Sequence, residues 1–413
     1  MNPNKKSFIF HIDFDSYFVS AARTIKPYLK NKPVAIARSS YKSLAVSVSY
    51  ELKVKGAKAG MTRGDILKIE PNTIFVSEDF SLYTNLSRKI FAYLQEKISH
   101  KILIASVDEC YLDVNHLVND EQKALNLAKY TQRKILEVFD IPITIGISTT
   151  KWYAKMTTNL NKPFGIGLTN KMNLINILNL PIIDFYGIGK SLAEKLKTLN
   201  IYYIKDLYAR NIEDLSLVEV FGTTAYKYLD ALKFDKYEGI IPEIKKSKVI
   251  GHESSFENIN IPQEEVLQRL KEIVALVSNR LRYSSLVSNT INVKARIQSK
   301  KWINKNKKIP QYCQEFKYFW KYAYEIYQKN YENKKLNSIG FSVSNLKSEY
   351  DLEINLNLFE KPIENSKAIE IANQINSIIK VNKVTTLGRY KKELENTKEK
   401  EKIESTFNSF LGK

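Results

Sequence analysis

The chain has 413 residues, too many for one hydrophobic core, so two to four domains are expected from a composition ordinary for a soluble globular protein (44% apolar, 26% charged). Its formal net charge of +20 favours a polyanionic partner, although the abundance of Asn, Ile and Lys also fits a lysine excess set by an AT-rich genome. Two distant cysteines, Cys110 and Cys313, support neither a disulfide framework nor a zinc site, and no apolar run suits a signal peptide or membrane helix, so a cytoplasmic protein without membrane contact is expected.

Along the chain, Phe8, Phe10, Ile12 and Phe14 alternate with Ile9, His11, Asp13 and Asp15, the period of a strand with one apolar face. A helix follows from about Tyr17 to Leu29, stopped near Pro33, and then two short strands, "KPVAIA" and "LAVSVSY". Leu86, Ile90, Phe91 and Leu94 mark a second helix. The strand-like unit "KILIASVDECYLDV", a helix over Ala124 to Val138 and the strand "ITIGIST" complete an α+β unit. From Lys171 to Glu243 the pattern is helical, with Gly187, Gly189 and Gly222 before helices, and a Lys-rich linker lies around Pro242 to Lys248. Residues 249–346 return to mixed structure, with a helix over Gln263 to Leu281 and strands at "TINVKARIQ" and "NSIGFSVSNL". That block holds 16 Lys/Arg against 8 Asp/Glu, which makes it a basic domain in its own right.

Two acidic motifs stand on two strand-like units almost a hundred residues apart: Asp13 in "HIDFDSYF" and Asp108-Glu109 in "SVDECYLD". Carboxylates at a buried strand end are costly unless a cation compensates them. If the two units pair in one sheet, three carboxylates can converge, as two hard cations roughly 3.5–4 Å apart require in phosphoryl transfer. Adjacent Asp108 and Glu109 would point to opposite faces of a regular strand, so a shared site needs a hairpin tip or bulge there. Each motif alone is weak, and an exposed acid at a turn is the usual explanation.

Together, "HIDFDSYFVSA", "VSYELKVKGAKAGM", "SVDECYLDV" and "GISTTKWYAKMTTNLNKPFGIG" resemble, in order and spacing, the Y-family DNA polymerases, over residues 7 to about 240. The resemblance implies that Asp13, Asp108 and Glu109 are metal-binding and catalytic carboxylates, that the Phe14 carbonyl is a backbone ligand, and that two Mg²⁺ ions are the cofactors. It implies that Phe18, beside Tyr17, is a steric gate against a ribose 2′-hydroxyl, excluding by clash; a plain core aromatic is the alternative. Asp15 takes a supporting role rather than a ligand's. Ser47, Tyr50, Lys53 and Lys162 fall where the family contacts the triphosphate, whose charge needs cationic and hydroxyl donors. Lys53 stands where the family usually has arginine, which keeps the charge and loses the bidentate fork.

Gly187-Ile188-Gly189-Lys190 resembles a helix–hairpin–helix that binds a DNA phosphate through backbone amides without reading sequence. Lys294, Arg296, Lys300 and Lys301 are candidate phosphate contacts of a little finger, against the alternative of a solvated strand face. "INLNLFEK" resembles a clamp-binding peptide with Leu356, Leu358 and Phe359 as anchors and Asn355 where glutamine is commoner; an ordinary amphipathic strand reads equally well.

The expected architecture is an α+β multidomain right hand plus a mixed α/β little finger. Its palm is 1–19 and 76–170, fingers 20–75, helical thumb 171–240, linker 241–248, little finger 249–346 and C-terminal extension 347–413. The expected reaction is template-directed, low-fidelity nucleotidyl transfer from dNTPs to a primer 3′-hydroxyl across damaged templates, without a proofreading exonuclease. Primer–template DNA, dNTP and a sliding clamp are the expected partners of a monomer. A palm-type nucleotidyl cyclase and an inactive scaffold are the competing readings, the first disfavoured by the basic later domains and Gly187-x-Gly189, the second by the intact carboxylate set.

Overall fold

A computed structural model describes residues 7–211, 213–233, 247–256, 261–297 and 302–351. The chain divides into two compact units, Met1–Ile244 and Lys245–Lys413. The predicted first strand forms as β1 (Ile9–Phe14) and runs into helix α1 (Tyr17–Ile25) through Ser16, a non-glycine residue in the left-handed region at φ 44°. The predicted helix is shorter than its pattern, because its last part, Pro27–Leu29, is a separate 3-10 turn.

A small three-stranded sheet follows, ordered β3-β2-β4, from β2 (Val34–Ile36), β3 (Ser47–Val48) and β4 (Ile74–Val76). Helices α2 (Tyr50–Val54) and α3 (Arg63–Ile69) lie between β3 and β4. Of the expected strand "LAVSVSY", only Ser47 and Val48 pair regularly, since β2 offers just three residues, and Tyr50 already begins a helix. A separate core of Ala35, Ala45, Val48, Leu52, Ala57 and Ile66 closes this part.

The larger sheet has the order β5-β6-β1-β7-β8. After α4 (Phe80–Lys97), the strand-like unit containing the second acidic motif splits into a hairpin, β5 (Ile102–Ile104) and β6 (Glu109–Asp113). Helix α5 (Glu121–Phe139), strand β7 (Ile143–Ser148), helix α6 (Lys151–Leu160) and strand β8 (Ile166–Leu168) complete it. Phe10, Ile12 and Phe14 of β1 pack with Cys110, Leu112, Ile143, Ile145 and Ile147 against Ile90, Phe91 and Leu94 of α4 and Ala124, Ala128 and Ile135 of α5. The other face of β1 is covered too, so all six of its residues are buried. Gly146 permits this: a Cβ there would lie 2.2 Å from the Ala154 carbonyl oxygen and 2.4 Å from the Thr158 amide nitrogen, so α6 rests directly on the strand.

Beyond β8 come α7 (Ile175–Leu178), α8 (Lys190–Lys197), α9 (Ile204–Tyr208), α10 (Leu215–Phe221) and α11 (Ala225–Ala231). Their core includes Leu196, Ile204, Leu207 and Leu217 together with Trp152, Tyr153 and Met156 of α6. The second unit is a fully antiparallel sheet ordered β11-β10-β12-β9. Its elements are β9 (Val249–Ser255), α12 (Gln263–Tyr283), β10 (Leu286–Ile297), β11 (Trp302–Cys313), α13 (Phe316–Tyr331) and β12 (Leu336–Ser348). Ile291, Val293, Ile339, Phe341 and Val343 pack under the two helices, so the alternate residues, Asn292, Lys294 and Arg296 among them, face away from that core. No helix among the described residues is long and apolar enough to cross a membrane.

Candidate active site

Pairing of β1 with β6 sets Asp13 directly opposite Glu109 and His11 opposite Tyr111. Side chains two residues apart share a face, so Ile9, His11 and Asp13 all point toward α6. That helix places Lys155 between the acids: its Nζ is 3.4 Å from Asp13 Oδ2 and is ion-paired with Glu109. Lys162, just past the helix, brings its Nζ to 2.6 Å from Asp13 Oδ1. His11 Nδ1 lies 2.9 Å from Thr158 Oγ1, whose own hydroxyl faces the carbonyl oxygens of His11 and Ala154. The other ring nitrogen, Nε2, is turned toward Glu109 Oε2, 3.5 Å away.

The electrostatics follow from burial. Desolvation lowers the His11 pKa, so the ring stays neutral. The His11 ring nitrogen and the Lys155 ammonium overcome burial at Glu109 and push its carboxyl down to about 2, with the ammonium the closer partner. Burial works against the charge on Lys155, yet Glu109 and Asp13 outweigh it and hold that pKa above the ordinary value. Removing either side of such a buried pair costs about 3–5 kcal/mol, because the surviving charge has no partner.

His11, Asp13 and Glu109 can bring one ligand atom each within 4.8 Å of one another. Two carboxylates on facing strands, in a site that holds two ammonium groups, fit a hard divalent cation, which prefers oxygen; His11 is then a neighbour rather than the first choice of ligand. Asp108 is not among these three. It lies in the turn of the β5–β6 hairpin, where the amides of Ala105 and Ser106 both donate to the Glu109 carbonyl. Its carboxylate accepts a hydrogen bond from the Ser106 hydroxyl, and its carbonyl accepts from the Phe14 amide at 2.8 Å. The adjacent acids thus belong to a hairpin tip and a strand start, which frees them from the opposed faces of a regular strand.

Phe18 is half-buried and stacks on Tyr83 with centroids 4.2 Å apart and planes 10° from parallel; Phe80 meets it edge-on at 6.0 Å. Tyr17 is buried and its hydroxyl donates to the Tyr83 carbonyl at 2.6 Å, joining α1 to α4. Asp15 is buried and accepts from the Tyr50 hydroxyl (3.1 Å), the Thr144 hydroxyl (2.9 Å) and the Phe164 amide (2.8 Å). Its burial raises the carboxyl pKa, and the Phe164, Thr144 and Tyr50 bonds offset part of that.

Tyr50 is the first residue of α2, and burial together with Asp15 keeps its hydroxyl protonated. The Lys53 ammonium lies 4.1 Å from the centre of the Tyr50 ring; desolvation and the nearby Lys162 lower its pKa. Ser47 is half-buried at the start of β3. Lys162 is joined to Pro163 by a cis peptide in the turn between α6 and β8. Tyr50, Lys53 and Lys162 therefore lie around one carboxylate-lined face, although their sequence positions span 112 residues.

Gly187 has φ +107°, a conformation that strains any side chain, and its carbonyl accepts from Tyr228. Gly189 caps α8, and a Cβ there would meet nothing within 4 Å, so the backbone before Lys190 is open to approach. Lys294 on β10 is ion-paired with Glu253 and lies 4.7 Å from the centre of the Trp302 ring, and Arg296 also has interaction partners, so neither is a free cation. Lys300, Lys301, Asn355, Leu356, Leu358 and Phe359 lie outside the described residues. Sequence reasoning passed over His11 and Lys155. The signal for His11 was its place two residues before Asp13 on one strand face; for Lys155 it was a lysine four residues into a helix whose surroundings are apolar.

A sheet with acids on adjacent antiparallel strands, a cation-rich helix against them, and a following helical module define a palm-type nucleotidyl transferase. Three family models match: the impB/mucB/samB family over residues 12–159, the IMS family HHH motif over 171–201, and the impB/mucB/samB C-terminal domain over 247–356. Among curated proteins, DNA polymerase IV of Oceanobacillus iheyensis is 28% identical over 373 residues, covering 89% of this chain and 88% of the relative. DNA polymerase IV 1 of Bacillus subtilis is 28% identical over 361 residues, 86% of each. Among solved structures, a Y-family chimera of Dbh and Dpo4 gives a TM-score of 0.70 at 25% identity, covering 83% of this chain and 99% of that one. An insertion ternary complex of Dbh DNA polymerase gives 0.57 at 25% identity, with the same coverage. The chain belongs to the Y-family DNA polymerases, and its architecture is their palm, fingers, thumb and little finger.

Proposed function

We propose that the protein is a template-directed DNA polymerase of the DNA polymerase IV type, extending a primer 3′-end with dNTPs across damaged templates, at low fidelity and without proofreading. The observation that carries this reading is the register of β1 with β6, which sets Asp13 against Glu109 beside the Asp108 turn, with Lys162 and Tyr50 close by. Asp13, Glu109 and Asp108, with the Phe14 carbonyl, are the groups that would hold two Mg²⁺ ions. When bound, such ions activate the 3′-hydroxyl and stabilise the leaving pyrophosphate.

The chain's own groups do the rest. Lys162 and Lys53 offer positive charge, and Ser47 offers a hydroxyl donor, to the β- and γ-phosphates as charge builds on them, while Tyr50, whose hydroxyl proton goes to Asp15, lines the same triphosphate face. The Phe18 ring, backed by Tyr83, fills the space a 2′-hydroxyl needs. The open backbone at Gly187-Ile188-Gly189-Lys190 suits a duplex phosphate held by amides. Lys294, Arg296 and Lys300 remain proposed phosphate contacts. Leu356, Leu358 and Phe359 remain the proposed anchors on a sliding clamp. The protein is proposed to act as a monomer in the cytoplasm.

The test is primer extension on a primed template with Mg²⁺, with EDTA, ribonucleotides and an abasic template as further arms. Asp108→Ala with Glu109→Ala is expected to lower dNTP incorporation by roughly 10²–10³-fold or more while leaving primer–template binding intact. A folded wild-type protein that binds primed DNA and adds no nucleotide would replace this reading with a scaffold.

A further inference from the structure

Asp15 is 2% exposed, yet among the described residues no ammonium or guanidinium pairs with it, and its hydrogen-bond partners there are all neutral donors. A buried carboxylate held this way is expensive, and an apolar residue would fill the same strand end at less cost. Its three donors come from three separate segments: the first residue of α2, the second residue of β7, and the turn after α6. Two of those segments carry proposed triphosphate contacts. Tyr50 is one itself, and Phe164 stands two residues beyond Lys162. The three donors occupy most of the roughly four acceptor sites of a carboxylate. The candidate metal cluster, moreover, contains His11, Asp13 and Glu109 but not Asp15.

We propose that Asp15 is a positioning residue for the incoming triphosphate, tying the Tyr50 hydroxyl and the Lys162 turn to the end of the metal-bearing strand without itself binding metal. The assignment rests on the polymerase reading. Asp15 holds both the Tyr50 hydroxyl and the Lys162 turn, so a single carboxylate sets the spacing of two proposed triphosphate contacts 112 positions apart. The Phe164 amide bond is the connection to Lys162: with Phe164 at φ +51° and its carbonyl accepting from Gln132 at 3.1 Å, the turn is held at both ends of one residue.

Primer extension by the full chain, with varied dNTP, tests this in wild type, Asp15→Ala, Asp15→Asn, Tyr50→Phe and the Asp15→Asn/Tyr50→Phe double variant. Mn²⁺ binding without nucleotide is measured in parallel. Asp15→Ala is expected to raise the dNTP KM on the order of 10- to 100-fold, more than it lowers kcat, with Mn²⁺ affinity unchanged. Asp15→Asn keeps the shape and replaces one acceptor oxygen by a donor, so it is expected to shift KM in the same direction even if the alanine variant does not fold. The double variant should lose less than the sum of the singles, because both break the same bond. A KM unchanged in both Asp15 variants overturns the assignment while leaving the polymerase reading intact. So does a loss of Mn²⁺ affinity, which would make Asp15 a ligand. A wild type that extends no primer removes the polymerase reading itself.

Discussion

Phe18 illustrates what a single residue decides. Stacking on Tyr83 and the edge contact with Phe80 leave its ring little freedom, and Tyr83 is itself buried and joined to Tyr17 through its carbonyl. A clash discriminates only as well as the clashing group is held. Phe18→Ala is therefore expected to raise ribonucleotide incorporation on the order of 100-fold or more relative to dNTPs. Tyr83→Ala should shift selectivity the same way by less, with a stability loss of about 3–5 kcal/mol for the emptied core site. Extension with single ribonucleotides and a denaturant titration read the two effects separately. The acids at this scale were legible as acids in a motif. The pairing of Lys155 with them was not, because Lys155 approaches Asp13 across 142 residues of chain, and an apolar helical setting marks a lysine for burial without naming its partner.

At the scale of elements, the α6–turn–β8 connection shows why the family motif "NKPFGIG" has glycine where it does. A Cβ on Gly165 would sit 2.0 Å from the Asn161 carbonyl oxygen, and one on Gly167 would sit 2.1 Å from the Asn161 amide nitrogen. Asn161 donates back to the Thr157 carbonyl at 2.7 Å, so the turn cannot yield without unwinding the end of α6. Gly165→Ala is expected to destabilise the protein by about 1–3 kcal/mol and to reduce kcat/KM through Lys162, read by thermal unfolding and primer extension. The second unit gives the opposite lesson. Strand β11 (Trp302–Cys313) is not legible in the sequence, because an edge strand rich in Lys and Asn has no apolar alternation. Helix α13 is an element the predicted set lacks, although its Phe319, Ala323, Ile326 and Tyr327 recur at helical spacing and are buried.

For the whole molecule, the charge of +20 becomes a prediction about salt. A polymerase that neutralises roughly six to ten phosphates loses about 10³–10⁵ in affinity between 50 and 200 mM salt. Primer–template binding measured across that range should show this slope. Lys294 should contribute less than one unit to it, because Glu253 already neutralises that ammonium. Glu253→Ala is accordingly expected to tighten DNA binding several-fold, an effect that shrinks as salt rises.

The sequence by itself determined the strands and helices whose patterns alternate or recur cleanly. It also determined the candidate acids at Asp13, Asp108 and Glu109, the surplus of positive charge and, through four ordered motifs, the family. These are local properties: periodicity, residue type and spacing survive in a linear string. Only the tertiary structure decided that Asp13 meets Glu109, while the Asp108 carboxylate turns to Ser106. It also decided that Lys155 and His11 complete the carboxylate face, and that Asp15 holds Tyr50 and the Lys162 turn at once. Those are facts of strand register and of how separate segments pack against one another, which no local pattern encodes.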